Sequence, residues 1–456
     1  MADLPTIQET LTTPVAGRYD VIVVGGGASG TVAALAAARG GSRTLLLERG
    51  GCLGGAATAN LVAQWVAFFH GDTRVVGGIP YELTQRVRAA GGSEGFHRYV
   101  MGEAAGTPFP LKVLPFNPET VKAVLDQALA EADVEVLLHA TFARALVQDG
   151  TVTGVVAETV QGRTAFLAPV VIDASGDALV CASAGVPCRG ERDKAQPGVE
   201  RQPCTLSFRL SNVDVAKFKA VPPVERRRLV LGGLERGELF WESLSFVSTP
   251  GGTDAICLMS RIQDIDALDA RDASRAEQEG RRQITSIVRF LNREIPGFER
   301  AQLADVAERV GVRESRRVEG RYTLTEEDIM GERSFDDAIA LGAGPMDRHQ
   351  AGGTGIRLYA PPAPFEIPLR SLIPVAVEGL LVCGRTLSST RDAMAGARHM
   401  ATSMAMGQAV GTLGALASGS GRRPSTVPPA EVQRQLESDG AFCRRSQVAA
   451  KAAATA

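Results

Sequence analysis

At 456 residues with 45% apolar side chains, the chain can bury a large core, which excludes wholesale disorder. Its 49 basic and 51 acidic residues leave a formal net charge of −2, so no long-range field draws it to nucleic acid or an acidic membrane. The seven cysteines are odd in number and form no CxxC pair, which argues against a disulfide framework or a zinc or iron–sulfur site.

Length suits two or three domains, and 50 glycines with 5% aromatic residues suit an α/β protein with tight loops. No apolar run approaches the roughly 20 residues of a membrane span. Asp3 and Glu9 interrupt the amino terminus, which therefore lacks the apolar core of a secretory signal. A cytoplasmic protein without a metal site is the expectation.

Residues 1–17 read as a short, poorly ordered leader. Val21–Val24 then reads as a strand, Gly25-Gly26-Gly27-Ala28-Ser29-Gly30 as a turn, Thr31–Arg39 as a helix and Thr44–Leu47 as a second strand closed by Glu48. This is the pattern that grips the pyrophosphate and ribose of a dinucleotide. Gly25 permits the sharp turn and Gly27 a close approach of phosphate to backbone. Gly30 lets the helix lie on the sheet, its amino end facing the phosphate. Glu48 accepts from a ribose hydroxyl. A second glycine cluster, Gly50-Gly51-Cys52-Leu53-Gly54-Gly55, follows on the loop beyond.

Asn117-Pro118-Glu119 starts a helix over about 119–132, with Asn117 as the cap. After a strand at Val134–Leu138, the runs Phe142–Val147, Val152–Thr159 and Thr164–Leu167 form a meander joined by Asp149-Gly150 and Gln161-Gly162. Val170–Ile172 returns to the parallel sheet and ends in Asp173-Ala174-Ser175-Gly176-Asp177. From about 190 the chain crosses into a mixed region of strands and charged helices, of which Ala273–Leu291 is the clearest. It returns near Pro361–Pro364 to a buried strand, Leu380–Cys383, then Gly384-Arg385-Thr386 and a long helix from about Met394 to Ala417.

Three remote segments thus suit one extended ligand. A βαβ unit, a meander and a return strand ending in a glycine–acid turn is the plan of two-dinucleotide-fold flavoproteins. The chain resembles the FAD-dependent oxidoreductases related to the fumarate reductase and succinate dehydrogenase flavoprotein group, from about Tyr19 to Ala417. Val23–Gly30, Glu48–Gly55, Val312-Arg313-Glu314-Ser315-Arg316-Arg317-Val318 and Val382–Arg385 through Met400 to Met406-Gly407-Gln408-Ala409 carry it.

The resemblance implies a Rossmann-like FAD-binding domain at 18–189 and 366–420, a parallel sheet plus three-stranded meander. An inserted α+β substrate domain at 190–365 and a C-terminal helix and tail at 421–456 complete the expected plan. It further implies that Gly25, Gly27 and Gly30, with Ala28 and Ser29 between them, hold the pyrophosphate and Glu48 the adenosine ribose. Arg49, Gly54 and Gly55 line the way to the flavin, and Ala143 touches the adenine through its backbone. Asp173 to Asp177 (Ala174, Ser175 and Gly176 included) and Gly384-Arg385 close over the ribityl phosphate. Met400, Ala401 and Thr402 bring backbone N–H groups to the flavin pyrimidine edge, where a helix amino end favours electron uptake.

Flavin chemistry also needs a base for the companion proton and a hold on the substrate. Arg313, Arg316 and Arg317 form a basic cluster with two readings: a clamp on a substrate carboxylate, or ties to Glu314 and Glu319 between domains. His349 is a candidate base on a glycine-rich loop, and His399 is an acid/base, a flavin neighbour or a packed helix residue. Tyr322 offers a phenol near the arginines, His70 is a lesser candidate, and Cys52 lacks a dithiol partner. The expected protein transfers hydride between a small organic substrate and flavin N5, with oxygen or a small electron carrier as acceptor. A redox-neutral flavoprotein of isomerase, hydratase or cyclase type and a non-catalytic nucleotide-binding protein are the rival readings.

Overall fold

Unbroken apolar runs with no polar alternation, as at Val21–Val24 and Leu45–Leu47, demand burial on both faces of a sheet. The computed structural model, which describes residues 6–101, 109–190, 201–349 and 353–448, provides it. Strands β1 (Val21–Val24), β2 (Thr44–Leu47), β3 (Glu135–Leu137), β4 (Val170–Asp173) and β5 (Leu380–Val382) pair in parallel in the order β5–β4–β1–β2–β3. The chain leaves β1 towards β2 on one side and later re-enters at β4 on the other. The carboxyl ends of β1 and β4 therefore flank the point where strand order reverses, the usual ligand position in such sheets.

Helix α1 (Ala28–Arg39) links β1 to β2, and α2 (Pro118–Glu131) precedes β3. Asn117 caps α2, its side chain accepting from Glu119 N–H at 2.9 Å. The expected meander is present as Thr141–Gln148, Thr151–Thr159 and Gly162–Leu167, and Asp149 and Gly150 both hold the left-handed φ of a tight hairpin turn. One expectation fails at the amino terminus. Val15–Arg18 is a strand, not leader, adding in parallel to the meander edge while Ala165 N–H donates to Pro14 O at 2.8 Å.

A second layer is antiparallel, with Phe208–Ser211 between Ala255–Cys257 and Gln302–Val306, and Phe246–Ser248 outside. Helix α3 (Ala270–Glu294) packs there through Ile284, Ile287, Phe290 and Leu291, and Asp269 caps it by accepting from Arg271 and Asp272 N–H. The architecture is α/β, built on a parallel sheet.

The long carboxyl-side helix is broken. It consists of α4 (Arg391–Ala397) and α5 (Met400–Ser420), with His399 extended between them. Helix α5 is apolar all round and buried, and it meets α1 along a glycine seam. A Cβ on Gly407 would lie 2.2 Å from Ser29 O, and one on Gly411 would lie 2.2 Å from Ala33 O. The carboxyl-side helix, Pro429–Ser438, follows as expected, while residues 449–456 of the expected tail lie outside the described residues. No helix among the described residues is long and apolar enough to cross a membrane.

Candidate active site

The glycine turn is shaped by contact on two sides and by room on a third. Gly25 has φ +106°, and a Cβ there would lie 2.5 Å from Ala174 O, so only glycine fits where β1 and β4 end together. A Cβ on Gly30 would lie 1.8 Å from Gly25 O. Gly27 is the opposite case: a Cβ there would meet nothing within 4 Å, and no side chain caps α1. The amino end of α1, with Ala28 and Ser29, thus keeps unspent N–H groups behind an open approach. The second glycine cluster folds onto the first. Gly54 N–H donates to Gly26 O at 2.8 Å, and a Cβ on Gly55 would lie 2.9 Å from Gly27 Cα.

Glu48 ends β2 and is buried beside this turn. Its carboxylate accepts from Gly26 N–H at 2.7 Å and Gly50 N–H at 2.8 Å, which fixes the loop against α1. Arg309, which sequence reasoning did not single out, approaches Glu48 Oε1 to 3.5 Å from the antiparallel layer. Arg49 stands nearby, its pKa lowered first by partial desolvation and then by Arg309. Ala143 sits at a bulge. Phe142 pairs with Ala157 and Arg144 with Val156, so Ala143 is the extra residue and its backbone has no partner in the ladder.

The 173–177 turn lies against the first one, Ala174 N–H donating to Val24 O at 2.9 Å. Asp173 is fully buried and turns inward, accepting from Ser175 N–H at 3.1 Å, Ser175 Oγ at 2.6 Å and Cys181 N–H at 3.0 Å. The Ser175 hydroxyl is also committed, accepting from Leu179 N–H at 3.0 Å. Asp173 and Ser175 thus build the turn, whose Gly176 O accepts from Ser315 Oγ at 3.1 Å. Asp177 is tied by Ser315 Oγ at 2.7 Å and Arg385 Nη2 at 3.2 Å, which brings the Val312–Val318 stretch to the same place. Gly384 completes the convergence, because a Cβ there would lie 2.9 Å from Ser29 Oγ. Arg385 Nη1 is buried without a hydrogen-bond partner.

The break before α5 creates a new amino end at Met400, Ala401 and Thr402, again without a side-chain cap. Thr402 Oγ1 is buried and unpartnered. His399 causes the break. Its ring packs so close to Gly344 that a Cβ there would lie 1.9 Å from His399 Cδ2, and its Nε2 contacts Pro345 O at 2.9 Å. A carbonyl only accepts, so Nε2 carries the proton and Nδ1 keeps a lone pair. Burial lowers the His399 pKa below 6.5, with Arg398 adding to the effect and Asp347 opposing it. An unfolded chain therefore binds this proton more readily than the folded one. Stability is complete above about pH 6.5 and falls as pH drops through the folded value. The thermal midpoint of the native protein is expected to decline more steeply from about pH 7 to 5 than that of His399→Gln. Parallel curves would remove this role.

The arginines divide. Among the described residues Arg313 donates to neutral groups, Pro203 O at 2.5 Å and Thr205 Oγ1 at 2.8 Å, and burial with the nearby Arg398 lowers its pKa to about 10. Glu314 is held by Arg391, which donates at 3.0 and 3.1 Å, and Arg317 donates to Ser389 O at 3.2 Å. Arg398 pairs with Asp347, so Arg313, Arg398, Asp347 and His399 share one neighbourhood. Arg398 and Asp347 carried no sequence signal.

Tyr322 is drawn elsewhere. Its hydroxyl donates to Asp328 at 2.8 Å and accepts from Arg333 at 3.0 Å, and no described hydrogen bond joins it to Arg313 or His399. The phenol expected beside the basic cluster is thus engaged with Asp328 and Arg333. His349 ends a strand, Met346–His349, paired with Ile356–Tyr359, where a loop was expected. Residues 350–352 of that glycine-rich run lie outside the described residues. His70 Nε2 contacts Pro361 O at 3.1 Å. Burial pushes the Cys52 thiol up and the Cys383 thiol to about 12, which fits packed, unreactive sulfurs.

Among the described residues, two uncapped helix ends, an open glycine and two buried donors without partners thus lie on segments that Gly384 and Ser29 bring together, a donor set fitting a phosphate-bearing dinucleotide. The sequence profile of a family described as FAD dependent oxidoreductase matches residues 20–436. A comparison with curated proteins finds no match. Among solved structures, a geranylgeranyl bacteriochlorophyll reductase-like protein from Thermoplasma acidophilum is similar at TM-score 0.50 and 15% identity, over 93% of this chain and 84% of that one. The flavin-dependent brominase Bmp2 is similar at TM-score 0.50 and 14% identity, over 92% and 83%. At such identities the likeness is one of fold.

Proposed function

Because the chain belongs to the FAD-dependent oxidoreductase family, we propose that it oxidises or reduces a small organic substrate at a carbon facing its FAD. FAD, when bound, supplies a hydride acceptor or donor at flavin N5. The chain's own residues do the rest. The amino end of α1 and the backbone of Gly27 take the diphosphate, Glu48 the adenosine ribose, and Ala143 the adenine edge. Gly54-Gly55 line the way to the flavin, and the 173–177 turn with Gly384 and Arg385 closes over the ribityl phosphate. The N–H groups of Met400, Ala401 and Thr402 set positive helix-end charge at the pyrimidine edge, favouring electron uptake.

Arg313 has no carboxylate hydrogen-bond partner among the described residues and holds the polar end of the substrate, a carboxylate being the best match to its fork. His399, neutral at pH 7 with a lone pair on Nδ1, is the nearest candidate to take the companion proton. His349 is the second. The Val312–Val318 and Gly384–Gln408 stretches support a place near the fumarate reductase group.

The observation that carries this reading is the convergence of Gly384 on the amino end of α1, where a Cβ would lie 2.9 Å from Ser29 Oγ. An absorption spectrum of the purified protein tests it, before and after adding pooled small molecules without oxygen. A yellow protein that bleaches is expected. A yellow protein that turns over substrate without bleaching would favour redox-neutral chemistry, and a colourless one that takes up no FAD would end the reading.

A further inference from the structure

The segment 307–311 leaves the antiparallel sheet and is held from both sides. Ala307 N–H donates to Ser207 O at 2.9 Å and Gly311 N–H to Thr205 O at 2.7 Å, within the antiparallel layer. On the other side, Glu308 N–H donates to Ala59 O at 2.9 Å and Asn60 Nδ2 to Arg309 O at 2.9 Å. A backbone clamped between two layers delivers the Arg309 side chain over the end of β2.

What it meets there already has partners, though acceptor capacity remains. Both Glu48 oxygens hold backbone N–H groups, and Arg309 Nη2 stops 3.5 Å short of Oε1, beyond the length of a formed charge-assisted bond. The same Nη2 lies 3.9 Å from the position of a Cβ on Gly50, so the guanidinium overhangs the loop after Glu48. Arg49 makes no ion pair among the described residues, and Arg309 is the charge that most disfavours its protonated form. Arg49 and Arg309 therefore stand together at one buried carboxylate, with Asp177 also drawing on Arg49 and Glu308 Oε1 lying 3.6 Å from the same Cβ position. A guanidinium held at the rim of that loop is placed to donate to an anion that also presents hydroxyls.

We propose that Arg309 binds the adenosine-diphosphate half of the cofactor, as the antiparallel layer's own contribution to that end of the site. The proposal rests on the FAD reading above. A diphosphate neutralises the Arg49–Arg309 pair, and ribose hydroxyls lie within reach of a group that already borders Glu48.

The test uses the full chain stripped of flavin, with FAD and ADP titrated by fluorescence and calorimetry into the parent, Arg309→Gln and Arg309→Lys. Affinity for both nucleotides is expected to fall about tenfold in Arg309→Gln, and less in Arg309→Lys, as loss of one charge-assisted contact requires. The melting temperature without ligand should stay level or rise, since a like-charge neighbour of Arg49 is gone. Unchanged ADP affinity overturns the proposal. So does a weaker affinity accompanied by a lower ligand-free melting temperature in both variants, which would make Arg309 a tie between layers. A parent chain that binds neither FAD nor ADP fails the functional reading first, whatever the variants do.

Discussion

Gly27→Ala is expected to fold as the parent does and to lose FAD, whereas Gly30→Ala is expected to lose both. The two glycines sit three residues apart in one turn, yet their surroundings differ in kind. At Gly27 φ is −69°, suitable for any residue, and an added methyl meets no protein atom within 4 Å. Its cost to the helix is under about 1 kcal/mol. That methyl does stand where phosphate must approach, and losing two charge-assisted bonds to backbone N–H weakens FAD on the order of 100-fold. At Gly30 the methyl would lie 1.8 Å from Gly25 O, a backbone atom that cannot swing aside. Moving α1 or the turn costs about 3 kcal/mol or more. Urea midpoints with FAD fluorescence titrations separate the cases. Retention of FAD within about threefold by Gly27→Ala would place the phosphate elsewhere.

Asp173→Ala is expected to cost about 3–5 kcal/mol and to release the cofactor as a consequence. Its carboxyl gathers Ser175 N–H, Ser175 Oγ and Cys181 N–H inside a fully buried pocket at the end of β4. Alanine leaves those donors without acceptors where water does not reach, and each costs about 1–3 kcal/mol. The turn it supports carries Asp177, the link to both Ser315 and Arg385. Asp173→Asn keeps the shape and one acceptor oxygen and should fall between. A urea midpoint for Asp173→Ala close to the parent would show that the turn holds its shape by backbone alone.

Local signals carried the dinucleotide layer well. The glycine turn, Glu48, the Asn117 cap and the Asp149-Gly150 hairpin each announce themselves within a few residues, and the structure has them all. The break between α4 and α5 was hidden, because Met394–Ala417 reads as continuous helix. Contact with Gly344 and Pro345, some fifty residues earlier, bends it. Arg309, Arg398 and Asp347 were hidden for the same reason. An arginine's neighbours across a fold leave no trace in its own flanking sequence. The partners of the Tyr322 hydroxyl, Asp328 and Arg333, were not foreseen either.

The seam between α1 and α5 has a bearing on how such a protein moves. Where carbonyls rest against glycine Cα atoms, at Ser29–Gly407 and Ala33–Gly411, no side chains intervene to slide or re-pack. Both helices therefore travel as a single stiff floor. A seam closed backbone against backbone also leaves no passage between α1 and α5, so a reactant must reach the site from another side.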